Sequence, residues 1–259
     1  MADNKFAQLG RVEAIRQLFE GTGYTAFEEP CWFDDADGGY VTTASRLLLE
    51  GIDFNLVYFP YKHLGYKSVI SVVGELYAVM AMPRTLSVVL GVSAKLDFEQ
   101  ISELLSGVVA AAREHGYKSL SLDLQPSRNG LAISVTASGS ASRLSCVRRP
   151  AAKSKDLICV SGNLGAAYMG FQLLEREKQV YYKQIENAKT DEEKMLISQP
   201  DFSGKEYLLE RQMKPEARRD IILKLRELGI RPTAMMDISD GLSSELLHIC
   251  TQSDTGCRV

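Results

Sequence analysis

The chain has 259 residues, of which 45% are apolar, 24% charged and 8% aromatic, with a formal net charge of −3. That is room for one large domain or two ordinary ones, at the composition of an ordinary globular protein. The nearly balanced charge leaves no footprint for nucleic acid or an anionic membrane surface, and no apolar run reaches the roughly 18–20 residues that span a bilayer.

Taken in chain order, Leu9, Val12, Ile15, Leu18 and Phe19 recur at helical spacing and predict a helix over residues 8–20, ended by Gly21 and Gly23. The acidic stretch CWFDDADGG, residues 31–39, reads as turn. Residues 40–54 begin as a β-rich strand. Apolar positions 69, 72, 73, 76 and 80 predict a helix over 66–80, stopped by Pro83. The β-branched run 85–93 predicts a buried strand. Asp97, with Gln100 three residues on, opens a helix through a capping box, and Gly116 ends it after His115. KSLSLDL and LAISVTASG predict two strands split by the turn PSRNG.

Composition shifts at RRPAAKSKD, residues 148–156, which places a domain boundary near 148 and divides the chain into 1–147 and 148–259. DLICVSG predicts a strand, GNLG a glycine turn, and residues 166–178 a helix. Residues 179–210, charged and poorly periodic, read as a helical excursion on the surface. Residues 214–229 predict a helix with Pro215 in its first turn and Gly229 past its end. TAMMDI predicts a strand and residues 241–250 a last helix. The alternation of strands with helices gives an α/β or α+β fold. The N-terminal MADNKFAQLG lacks an apolar signal core. The five cysteines (Cys31, Cys146, Cys159, Cys250 and Cys257) include no C-x-x-C pair, so reduced thiols in a cytoplasmic protein are expected.

In MMDISDGLSSELLHIC, residues 235–250, two carboxylates, Asp237 and Asp240, stand where a strand hands over to a helix. Asp240 alone can serve as a helix cap worth about 1 kcal/mol. The pair together suits a hard cation such as Mg²⁺, which takes carboxylate oxygens and leaves room for water and phosphate. Such a site needs further acids, and Asp34, Asp35, Glu75 and Asp123 are the candidates near element ends. GNLG, residues 162–165, lacks the spacing and lysine of a phosphate loop, so a tight strand-to-helix turn competes with phosphate binding there. The three histidines, His63, His115 and His248, share no metal-like spacing.

DLICVSGNLGAAYMGFQLLEREK, YLLERQMKPEARRDII and MMDISDGLSSELLHIC resemble the thiamine-monophosphate kinases, a family related to aminoimidazole-ribonucleotide synthase and selenophosphate synthetase. The similarity continues more weakly through LLLEGIDF, KHLGYKS and LAISVTASG. It implies a two-domain, PurM-like fold whose N-terminal sheets pair into a barrel across a homodimer. It implies ATP-dependent phosphorylation of thiamine monophosphate to the diphosphate, with Mg²⁺ held by aspartates. On the matching positions, Asp237 and Asp240 would be catalytic, and Ser239, Arg149, Asp123 and Gly162 would contact the nucleotide. Asp34, Asp35, Glu75, Asp123, Asp237 and Asp240 would hold metal.

Departures cluster in the first half. Phe33 stands for a glycine before Asp34, Ser45-Arg46 for a Thr-Asp pair, Gly74-Glu75 for Ser-Asp, Asp53 for a histidine, and Ser121-Leu122-Asp123-Leu124 for Gly-Gly-Asp-Thr. In the second half, Ala151 replaces a glycine. Arg46 is expected to pair with an acid such as Glu75 or Asp123, since a guanidinium cannot ligate a cation. The family pattern runs on beyond GCRV, so the second domain is expected to be incomplete in this chain. A silent relative serving as a nucleotide-binding or dimerisation module is the alternative reading.

Overall fold

The structure, a computed structural model, describes residues 10–24, 31–36, 38–190, 192, 195, 197 and 200–259. Its centre is a five-stranded sheet built from β1 (Cys31–Ala36), β2 (Gly39–Leu49), β3 (Met82–Ser93), β4 (Ser119–Ser127) and β5 (Ala132–Ser142). The spatial order is β1-β2-β5-β3-β4, so the last strand in sequence fills the middle. β1–β2, β2–β5 and β3–β5 run antiparallel, and β3–β4 runs parallel. The parallel pair needs a crossover, and helix α3 (Phe98–His115) supplies it. Pro83 lies beside the register shift at Pro83/Thr85, before β4 begins to pair at Thr85, so its missing N–H costs the ladder little.

One face of the sheet is the core. Ala44, Leu48, Leu86, Val88, Leu90, Ile133, Val135 and Ala137 are buried there, along with Val69, Val72, Val73 and Leu76 of helix α2 (Tyr61–Ala78). That burial explains why a valine-rich segment is helical, since packing outweighs a weak intrinsic propensity. α3 lies on α2 through Gly65 and Gly107. A β-carbon on either would run into the backbone carbonyl of Leu104 or Lys62. The capping box of α3 is present: Asp97 Oδ1 accepts from Gln100 N at 2.8 Å, and Gln100 Oε1 accepts from Asp97 N at 3.0 Å. Gly116 closes the helix at φ 76°.

The opposite face of the sheet is open. Val41, Leu47 and Val89 are exposed on it, among hydroxyl pairs such as Ser45–Thr136 at 2.9 Å and Ser87–Ser121 at 3.0 Å.

Helix α1 (Arg11–Phe19) precedes the sheet. After it come α4 (Ala166–Asn187), α5 (Glu206–Met213), α6 (Arg219–Glu227) and α7 (Leu242–Gln252). α4 and α5 pack tightly at Gly170, where a β-carbon would meet the Leu208 carbonyl. α6 buries Ile222, while Arg219 Nη1 donates to Glu114 O at 3.1 Å and Arg226 donates to Met80 O. Both guanidiniums thus meet carbonyls at or just past helix C-termini, where positive charge is favourable.

Several expectations are corrected. Residues 31–36 form an edge strand rather than a turn, because Gly38 and Gly39 return the chain as a tight β1–β2 hairpin. Residues 156–162 and 233–238 are not strands: among the described residues no partner strand lies beside them, and a strand without a ladder leaves its backbone to solvent. Leu157, Ile158 and Val160 are accordingly exposed. The helix expected over 214–229 begins only at Arg219. Pro215 instead ends α5, since its ring would clash with a continuing helix. Gly229, at φ 65°, does terminate α6.

Candidate functional site

The turn at residues 237–240 is held from below by an acid of its own helix. Glu245, in the first turn of α7 and buried, accepts from Asp240 N at 2.9 Å and from Ser239 N at 3.3 Å through Oε1. Gly241 precedes α7 at φ 126°, a conformation that L side chains rarely adopt. Asp240 therefore does not cap the helix; its backbone N–H is satisfied by Glu245, and its side chain is free of that duty.

Asp237 points back toward the sheet. Its Oδ2 accepts from Ser239 Oγ at 2.8 Å. It packs on helix α2 at Gly74, where a β-carbon would stand 3.4 Å from Oδ2. The neighbouring Glu75 is buried, at 4% exposure, and its Oε1 accepts from Arg46 Nη2 at 2.8 Å. Arg46 projects from the core face of β2, opposite Val135. The same Nη2 lies 3.4 Å from Ser239 Oγ. Arg46, Glu75, Ser239 and Asp237 thus form one connected network joining strand, helix and turn.

Burial pushes the Glu75 carboxyl up to about 7, with the nearby Asp237 charge adding to the rise; Arg46 and the buried Arg149 oppose it. Glu75 Oε2 is buried and has no hydrogen-bond partner among the described residues. The expected pairing of Arg46 with an acid is seen here, with Glu75 as that acid.

The remaining candidates stand elsewhere. Asp34 is exposed on β1, paired in register with Val41. Asp35 forms an ion pair with Arg143 at 2.7 Å. Asp123 is exposed on β4 and accepts from Leu124 N at 2.9 Å and Gln125 Nε2 at 3.0 Å. β1 and β4 are opposite edges of the sheet, four inter-strand steps apart, or roughly 19 Å at the usual spacing. Asp34 and Asp123 also sit on the open face, away from Arg46, Glu75 and Asp237. Gly162, at φ 86°, has the Arg211 and Arg218 guanidiniums nearby, and these pair with Glu216 and Asp220.

Among the described residues no three His, Cys, Asp or Glu side chains form a group that could hold a metal ion. Where two carboxylates do meet, at Glu75 and Asp237, a guanidinium is already bonded to one of them. The chemistry of this donor set does not fit a Mg²⁺ cage within one chain.

Two contributors escaped the sequence reading. Glu245 left the ordinary signal of an acid in a first helical turn. Gly74 left the signal of a lone glycine inside an apolar helical pattern.

Residues 32–141 match the family described as AIR synthase related protein, N-terminal domain. The strands β1–β5 and the helices α2 and α3 packed against them fall on that match, so this part of the chain is similar to that domain. Among the proteins that the chain is similar to are thiamine-monophosphate kinases. The one from Pyrococcus horikoshii is 28% identical over 243 residues, 93% of this chain and 68% of the relative. The one from Bacillus subtilis is 24% identical over 212 residues, 82% of this chain and 59% of the relative. The chain thus spans about three-fifths of the length of the Bacillus protein. A solved structure described as AaThiL complexed with AMPPCP and TMP superposes with a TM-score of 0.81 at 22% identity, covering 98% of this chain and 74% of that one. No helix among the described residues is long and apolar enough to cross a membrane.

Proposed function

We propose that the chain is a thiamine-monophosphate kinase-like phosphotransferase that takes ATP and thiamine monophosphate and yields ADP and thiamine diphosphate. The observation that carries this reading is the superposition over 98% of the chain on a structure whose description names AMPPCP and TMP. The 237–240 turn supports it locally. Phosphoryl transfer asks a protein mainly for positioning and charge neutralisation. Here the turn is fixed by Glu245, and Arg46 and Arg149 supply positive charge beside it.

In this reading Asp237 and Asp240 face the reacting phosphates, and Ser239, Arg149, Asp123 and Gly162 contact nucleotide. Asp34, Asp35 and Asp123 reach the reaction only with help from beyond one chain. A homodimer supplies it, a second copy docking on the open sheet face. The two units, 1–147 and 148–259, work together as a cytoplasmic enzyme. Mg²⁺ would shield phosphate charge when bound.

The Arg46–Glu75 ion pair favours a second reading, a nucleotide-binding or dimerisation module without transfer. Coupled detection of ADP release from ATP, with and without thiamine monophosphate, separates the two. Release that depends on the acceptor is expected. Nucleotide binding without release selects the second reading, and no binding of either compound sinks the first and leaves only the dimerisation role of the second.

A further inference from the structure

Glu75 and Asp237 are carboxylates from distant parts of the sequence, brought together where the 237–240 turn rests on helix α2. The turn approaches the helix at Gly74, where a β-carbon would lie at an ordinary van der Waals distance, 3.4 Å, from Asp237 Oδ2. Two like charges so placed repel, and one of them is 96% out of water. Something positive must hold the arrangement together. In many acidic clusters that is a divalent ion.

Here it is part of the chain. Arg46 is held at its backbone within the sheet, in register with Val135 on β5. Its Nη2 donates to Glu75 at 2.8 Å and reaches Ser239 Oγ at 3.4 Å, and Ser239 Oγ in turn donates to Asp237 Oδ2 at 2.8 Å. Donor and acceptor roles run in one direction along this path: guanidinium to hydroxyl oxygen, hydroxyl hydrogen to carboxylate. The guanidinium keeps its charge at any working pH and can only donate. Its side chain is 29% exposed and that of Glu75 5% exposed, so the pair is shielded from solvent screening.

We propose that the Arg46 guanidinium is the resident cation of this acidic pair, a positioning residue that fastens the Asp237–Asp240 turn to β2 and α2 with no divalent ion. The consequence is a site organised before any ligand arrives. A divalent ion entering between Glu75 and Asp237 would have to displace the guanidinium, which remains tethered to the sheet. Removing Arg46 would take from a buried carboxylate the hydrogen bond that Arg46 gives it and reopen the pair to a metal. This inference stands apart from the phosphotransferase reading, because it concerns how the turn is held before ATP or thiamine monophosphate binds.

The test uses the full chain with no nucleotide present. Thermal unfolding is followed in EDTA and in a MgCl₂ series, with NaCl matching ionic strength, for the native chain and for Arg46→Gln, Arg46→Lys and Arg46→Asp. Amide hydrogen exchange across residues 237–245 reports on the turn locally. The native midpoint should not move with Mg²⁺. Arg46→Gln should speed exchange across 237–245 by roughly tenfold, as expected for losing a charged hydrogen bond, while exchange in β3 and β5 stays slow. Arg46→Lys, which keeps the charge and loses the reach, should fall between. Arg46→Asp should gain a saturable rise in midpoint with Mg²⁺. Ser239→Ala keeps the ion pair and cuts the link to Asp237, so it should loosen the turn with little effect on the midpoint; it carries the test if the Arg46 variants do not fold. A saturable Mg²⁺ stabilisation of the native chain overturns the proposal. So does unchanged exchange over 237–245 in both Arg46→Gln and Ser239→Ala.

Discussion

Gly74 and Asp237 face each other across 163 positions of sequence, so placed that a β-carbon on the helix residue would stand 3.4 Å from the carboxylate of the turn. The contact leaves space for one methyl group and no more. Gly74→Ala should therefore keep the turn in place and stabilise helix α2 by roughly 0.5–1 kcal/mol, the usual gain over glycine in a helix. Gly74→Leu should lift the turn and cost about 1–3 kcal/mol, as overpacking does. Urea unfolding of both variants decides the matter, and a Leu variant as stable as the Ala variant would show that the turn does not rest there.

The helix pair α2–α3 has less tolerance. Gly65 and Gly107 place the backbones so close that a β-carbon meets a carbonyl rather than a movable side chain. Either glycine changed to Ala should lose about 1–3 kcal/mol or more, because the helices must separate. Calorimetry should show a lower midpoint for each.

Lys67 is largely shielded from water. Its Nζ donates to Gln212 O at 3.1 Å and lies 5.1 Å from the centre of the Phe59 ring. Burial lowers its ammonium from 10.5 to about 8. The folded chain therefore binds fewer protons than the unfolded one between about pH 8 and pH 10.5, and stability from this group rises with pH across that window. Below pH 8 the charged form carries a cost of about 3 kcal/mol at most. Lys67→Met should flatten the rise between pH 8 and pH 10.5 in denaturant unfolding. A native profile with no upward contribution there, relative to Lys67→Met, would refute the burial account.

Glu245 serves two backbone donors of the turn. Glu245→Gln keeps an acceptor and should cost little. Glu245→Ala leaves both N–H groups without that acceptor and should lose about 1–3 kcal/mol. Comparing the two by thermal unfolding separates the hydrogen bonds from the charge; equal losses would mean that the charge alone matters.

The first half of the chain was legible wherever its signals were local. The Asp97–Gln100 box and Gly116 bounded α3 because caps are written in adjacent residues. β2, β3, β4 and β5 followed from β-branched composition and turn residues. β1 was missed because Asp34 and Asp35 speak against a strand on their own; only pairing with β2 makes one. DLICVSG and TAMMDI failed for the opposite reason. Their composition suits strands, but a strand is a relation between segments, and here neither segment finds a partner. Pro215 misled because the same ring can open one helix or close the one before it. At the site, Arg46 and its acid could be anticipated from charge. Glu245 and Gly74 could not be placed from periodicity alone, since what matters in each is the neighbour that folding brings.

The sheet order also fixes a sequence in time. β2 and β3 are not neighbours; each waits for β5 to come between them, and β5 begins only at Ala132. A chain leaving the ribosome first holds a hairpin, β1–β2, and separately the unit β3–α3–β4, with the row of groups on each that β5 will join still bare. Contacts spanning so much sequence form slowly, and their unpaired edges are open to other chains meanwhile. Ribosome-bound chains arrested before residue 132 should be readily cut by protease, and chains arrested well past residue 142 should resist it. Of all its strands, the one that seals this protein is among the plainest, a run of alanine, serine, threonine, isoleucine and valine around a single glycine, and until it arrives the two halves of the sheet have no seam.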